Sequence, residues 1–162
     1  MSTLSPHNGG FRAAVVSDTH GRLSDRLLLV LADFDTVLHA GDIDTPQAHR
    51  QLARCHQLTA VRGNMDIGRW ADDLPRTEVV EVGQMLIYIL HDIGRLDLDP
   101  VAAGIRVVIS GHTHHARIEH NHDGVLYLNP GSASFPRHGT RPSMAVLSVE
   151  NGAAQAQIVE IA

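Results

Sequence analysis

Cysteine is almost missing: Cys55 stands alone among 162 residues. That excludes an intramolecular disulfide and any multi-cysteine zinc or iron–sulfur site. Long apolar runs are missing too, and no stretch reaches the length needed to cross a bilayer, so no membrane association is expected. The opening MSTLSPHNGG is polar and lacks a hydrophobic h-region, so residues 1–10 read as a disordered tail rather than a secretory signal. A cytoplasmic location is the default that follows. A basic excess is absent as well. Thirteen basic against 18 acidic residues leave a formal charge of −5, which argues against a general nucleic-acid-binding surface. There is no internal repeat, low-complexity segment or linker, and no lysine follows GDIDTP to make a nucleotide-binding P-loop.

What remains is a globular composition, 43% hydrophobic and 19% charged, at a length that suits one α/β domain over residues 11–162. Histidine is plentiful: 12 are present, without a poly-His tract. FRAAVVS (11–17) reads as a strand buried on both faces. SDRLLLVLADF (24–34) reads as a helix capped by Ser24. DTVLHAGD (35–42), PQAHRQLARCH (46–56) and LTAVRGN (58–64) continue as strand, helix and strand, which favours parallel strands with right-handed crossovers. TEVVEV (77–82) and MLIYIL (85–90) form a hairpin pattern. A short helix is expected over 98–104, then the strand IRVVIS (105–110). ARIEHN and VLYLN read as strands, NPGSASFPRHGTRP (129–142) as a loop, and ENG as the turn of a last hairpin.

Five apolar strands each stop at potential ligands. AAVVS ends at Asp18-Thr19-His20, TVLHA at Gly41-Asp42, LTAVR at Gly63-Asn64, MLIYIL at His91, and RVVIS at Gly111-His112-Thr113-His114. Aspartate, asparagine and histidine offer the oxygen and nitrogen atoms that divalent metals take. In open α/β sheets the functional crevice lies beyond the carboxyl ends of the strands, so the five endings can converge on one rim. Two aspartates, one asparagine and four histidines are too many for one ordinary site and suit two ions sharing a carboxylate. With a bridging hydroxide such a site keeps about one positive charge and attracts anionic oxygen. Paired ions of this kind make the hydroxide and stabilise displacement at phosphorus.

The order D-x-H, G-D, G-N, H, G-H-x-H resembles the calcineurin-like metallophosphoesterase superfamily. DTHG, VRGNMD, GHTH and NPGS are most similar to its small bacterial and archaeal phosphodiesterase branch, from about residue 11 onward. The resemblance implies a four-layer αββα sandwich of two mixed sheets flanked by helices. It implies that Asp18, His20, Asp42 and His114 hold a first metal, that Asp42 bridges, and that Asn64, His91 and His112 complete the second. The two divalent ions would be manganese, with iron, nickel, zinc and cobalt as alternatives. The substrate would be a phosphate ester hydrolysed by a metal-bridging hydroxide, with Asn64 and His112 stabilising the phosphoryl oxygens, and a homo-oligomer is in keeping with the branch.

Two departures stand out. Met65 occupies the position where larger members carry the histidine that protonates the leaving group, so aryl esters should be preferred. His91 is followed by Asp92-Ile93-Gly94, where the small branch has glycine at once. Outside the set, His39, His49, His56, His120 and His122 read as structural or surface residues, and His115 as a rim residue. Asp66 is either a second partner to a ligating histidine or a turn residue, and Ser132 is no nucleophile because no base accompanies it. Arg137 is a candidate phosphate contact. The rival functions are a non-catalytic protein-binding scaffold of the same fold, as in a eukaryotic retromer subunit, and a phosphomonoesterase or nucleotidase.

Overall fold

The structure is a computed structural model that describes residues 1–5, 10–137 and 139–161. Its elements run β1 (Ser2–Leu4), β2 (Gly10–Val16), α1 (Asp25–Leu31), β3 (Thr36–His39), α2 (Pro46–Cys55), β4 (Gln57–Ala60), β5 (Thr77–Val82), β6 (Met85–Leu90), β7 (Ile105–Ile109), β8 (Ala116–His120), β9 (Leu126–Pro130), β10 (Ser143–Glu150) and β11 (Ala153–Glu160). They build a five-stranded sheet in the order β11-β10-β2-β3-β4 and a six-stranded sheet in the order β1-β5-β6-β7-β9-β8. Both sheets are mixed. β2, β3 and β4 are parallel, as the alternation with two helices requires, and β10 joins them antiparallel.

Strand alternation explains the layers. Phe11, Ala13 and Val15 of β2 face the other sheet and pack in one cluster with Ile87, Ile89, Val107, Ile109, Leu126 and Leu128. Ala14 and Val16 point the opposite way, against Leu27 and Leu31 of α1 and Leu52 of α2. Each helix buries one face through residues four apart: Leu27 and Leu31, then Ala48 and Leu52. Ser24 Oγ caps α1 by accepting from Leu27 N at 3.1 Å, and Thr45 Oγ1 caps α2 by accepting from Ala48 N at 3.2 Å. The fold is thus α/β with two packed mixed sheets and few helices. On the outer face of the six-stranded sheet, Leu96 and Leu98 from the segment after β6 cover Tyr88, Leu90, Ile105 and Val108. That segment holds a 3-10 turn at Ile93–Arg95.

Two expectations need correction. Ser2–Leu4 is not part of a disordered tail: it pairs parallel with Val80–Val82, and Leu4 is buried in the inter-sheet core. The apolar surface that Leu4 removes from water gives a three-residue edge strand its reason to order. Residues 6–9 of the expected tail lie outside the described residues. The helix expected over 98–104 is instead a run of turns, closed by Ala103 N on Asp99 O at 3.0 Å and Gly104 N on Val101 O at 3.1 Å. Pro100 and Gly104 confine it to about one turn, too short to propagate as a helix.

Candidate metal centre

The carboxyl ends of β2, β3, β4, β6 and β7 meet at one rim, and all seven strand-end side chains named above converge there. Main-chain bonds lock the loops together. Asp18 N donates to Gly41 O at 3.0 Å, His20 N to Asp42 O at 3.0 Å, and Gly111 N to His91 O at 2.9 Å. Space is tight enough to demand glycine. A Cβ on Gly63 would collide with the Asp42 carboxylate, and one on Gly111 would collide with Ser17 Oγ. Asp18, His20, Asp42, Asp44, His112 and His114 all have left-handed backbones, with φ between 46° and 69°. Among the described residues the only other non-glycine case is Asn151, in the β10–β11 turn. Such conformations cost about 1–3 kcal/mol each, and they concentrate where surrounding structure can enforce them.

The histidines reveal which ring atoms face inward. His114 Nδ1 donates to Phe135 O at 2.5 Å, His91 Nδ1 to Ala40 O at 2.7 Å, and His20 Nδ1 to Asp44 Oδ2 at 2.8 Å. Each of these outer nitrogens is occupied, so each of these Nε2 atoms points to the centre, the orientation in which a histidine anchored from behind ligates a metal. His20 Nε2 and His114 Nε2 face one another at 3.4 Å, and His114 Nε2 lies 3.2 Å from Asp18 Oδ1. That oxygen is buried without a hydrogen-bond partner, a costly state in an apolar interior. Lone pairs that crowd a partnerless carboxylate oxygen fit a cation. His91 Nε2 lies 3.3 Å from Asp42 Oδ2 and 3.1 Å from Asn64 Oδ1, and His112 Nδ1 is also 3.1 Å from Asn64 Oδ1.

Two sets of donor atoms lie within 4.8 Å of one another: Asp18, His20 and His114, and Asp18, Asp42 and His91. Asp18 is common to both, whereas the resemblance gave Asp42 the shared position; the two carboxylates stand side by side. Asn64 and His112 join the second set through their contacts with His91 and with each other. Burial raises the Asp42 carboxyl, but the hydrogen bond and charge of His91 outweigh it and hold the pKa below the usual carboxylate range. Burial lowers His91, yet Asp42 outweighs it and holds the imidazole above its usual pKa.

Three supporting residues escaped the sequence reading, or were read differently. Asp44 anchors His20, and the signal was a second aspartate two positions after Asp42. Asp66 orients no histidine. Its Oδ2 accepts from Asp42 N at 3.0 Å and Gly63 N at 2.7 Å, and its Oδ1 from Ile43 N at 2.8 Å and Asp44 N at 2.7 Å. Asn129 of the NPGS run donates to Gly111 O at 2.7 Å and Thr113 Oγ1 at 3.1 Å, which pins the G-H-x-H loop. Ser132 is structural: its Oγ donates to Asp18 O at 2.8 Å and accepts from Phe135 N at 2.7 Å. His39 is buried beneath the rim, outside the donor sets, while Arg137 and His115 are exposed.

A two-sheet α/β fold whose strand ends gather paired carboxylates and imidazoles defines a metal-centred class of protein. Residues 11–152 match the calcineurin-like phosphoesterase superfamily domain, and the chain belongs to that superfamily. A probable metallophosphoesterase of Methanothermobacter thermautotrophicus is 32% identical over 157 residues, covering 90% of this chain and 90% of that one. The fold is shared with an archaeal phosphodiesterase (TM-score 0.76, 24% identity, 92% of this chain and 100% of that one). It is shared equally with Vacuolar Protein Sorting 29 of Cryptosporidium parvum (TM-score 0.76, 19% identity, 94% and 98%). Superfamily membership makes this a metal-dependent phosphoesterase type of chain, and among the described residues no helix is long and apolar enough to cross a membrane.

Proposed function

We propose that the chain is a dinuclear phosphodiesterase. The observation that carries this reading is the buried, partnerless Asp18 Oδ1 facing inward-aimed imidazole nitrogens. Asp18, His20 and His114 would hold one ion; Asp42, His91, Asn64 and His112 would hold the other, and the Asp18 and Asp42 carboxylates stand side by side where the two sets meet. When bound, divalent ions, manganese first among them, would supply activated water at neutral pH and offset charge on the phosphoryl oxygens. Asn64 and His112 lie at the edge of the set and would contact those oxygens. Met65 is exposed beside Asn64 and has no proton to give, so the leaving group must depart largely unassisted.

The test is hydrolysis of bis(p-nitrophenyl) phosphate by manganese-loaded protein. Activity should exceed that on p-nitrophenyl phosphate, and aryl diesters should react faster than alkyl diesters when chemistry limits the rate. A preference for the monoester would make the protein a phosphomonoesterase. The Vacuolar Protein Sorting 29 likeness supports a scaffold as second reading, but every ligand position here is filled. A protein that binds no metal and cleaves neither ester would be that scaffold.

A further inference from the structure

We infer that Arg62, Arg76 and Arg95 form a subsite for a second phosphate, so that the substrate is a phosphodiester bearing a further phosphate group. This rests on the phosphodiesterase reading. A cleft of about 440 Å³ is lined by Asn64, His91 and His112 and also by these three arginines. That volume falls in the range of sites that hold whole small molecules, far beyond a single phosphoryl group. The cleft therefore has room for the part of the substrate that does not react.

Its charge opposes that of the chain. The molecule as a whole carries −5, yet the cleft lining sets three arginines against two aspartates, Asp92 and Asp97. The arginines come from separate segments, and the fold draws them together. Arg62 N donates to Pro75 O at 2.7 Å, which brings Arg62, two residues before Asn64, alongside the segment that carries Arg76. Arg62 is already held in place, with Nε on Asp66 O at 3.0 Å and Nη1 on Asp72 Oδ1 at 3.2 Å. Arg95 follows the His91 loop, and its Nε lies 3.6 Å from Asp92 Oδ2, too long for a hydrogen bond. An exposed pair at that distance contributes little, so Arg95 is available to a ligand. Guanidinium groups match phosphate oxygens two at a time. One fixed and two adjustable forks beside a phosphoryl-binding centre suit a second phosphate.

The experiment compares thymidine 5′-(p-nitrophenyl phosphate) with the same ester carrying a 3′-phosphate, using manganese-loaded protein. The phosphorylated ester should show about tenfold higher kcat/KM, the gain of one charge-assisted contact. Arg76→Ala and Arg95→Ala, both at exposed positions, should each cut that ratio severalfold. Equal kcat/KM for the two esters, or a ratio that neither variant changes, overturns the subsite. If neither ester is cleaved, the phosphodiesterase reading fails by itself. Calorimetry then decides the subsite: thymidine 3′,5′-bisphosphate must bind about tenfold tighter than thymidine 5′-monophosphate, and equal affinities overturn it.

Discussion

His39 shows how one residue couples the site to stability. It is wholly buried, its Nδ1 accepts from Gly41 N at 3.2 Å, and its Nε2 donates to Thr19 Oγ1 at 3.1 Å. Burial first, and then the neighbouring His91, holds its pKa down to about 3. Unfolded, the same imidazole titrates near 6.5. Between those values the unfolded chain binds a proton that the folded chain refuses, so stability falls as pH drops below 6.5. At pH 5 this group should cost about 2 kcal/mol. Urea unfolding as a function of pH should show the slope, and His39→Gln should flatten it. Asp44 offers a second residue-scale test. Its backbone is left-handed at φ 69°, so Asp44→Gly removes the carboxylate without adding strain. Loss of the His20 anchor should weaken manganese binding about 10–100-fold by calorimetry, with little change in unfolding free energy.

Among the elements, the turn that follows β3 depends on one side chain from the turn that follows β4. Asp66 accepts four main-chain N–H groups and is buried. Asp66→Asn keeps the shape but turns an amide against two of those donors. The variant should lose about 3 kcal/mol in chemical denaturation, since buried unsatisfied groups cost about 1–3 kcal/mol each. This dependence was hidden in the sequence, where Asp66 reads equally as a partner to a ligating histidine or as a turn aspartate. The β2-α1-β3-α2-β4 run and both hairpins were legible, because runs of β-branched residues, caps and the Asn151-Gly152 turn report local preference. Strand β1 was illegible because three residues carry no period, and pairing with β5 and burial of Leu4 order them. The strand-end candidates were legible because an abrupt polar stop marks each one, with glycine just before Asp42, Asn64 and His112. The contacts of Asp44, Asp66 and Asn129 were not, because Asp44 works on the His20 ring and the other two on main chain, all brought in from other segments.

At the scale of the molecule, the proposed centre straddles the two sheets. Asp18, Asp42 and Asn64 follow strands of the five-stranded sheet, and His91, His112 and His114 follow strands of the six-stranded one. Ions held between them would tie the layers together. Manganese at about 100 times its dissociation constant should add about 2.7 kcal/mol to stability, visible as a raised Tm. The effect should grow with pH. Asp42 holds the His91 pKa above normal, so a proton competes with metal there until pH rises through that raised value. A Tm shift as large at pH 6 as at pH 8 would contradict that competition.

The three imidazole tethers differ in kind. His91 and His114 lean on carbonyl oxygens of Ala40 and Phe135, which every amino acid possesses. His20 leans on the carboxylate of Asp44, which a single codon change can erase. Evolutionary drift can therefore rewrite two of the three attachments without loosening the rings, while the third is the place where a descendant of this chain would first lose its grip on an ion.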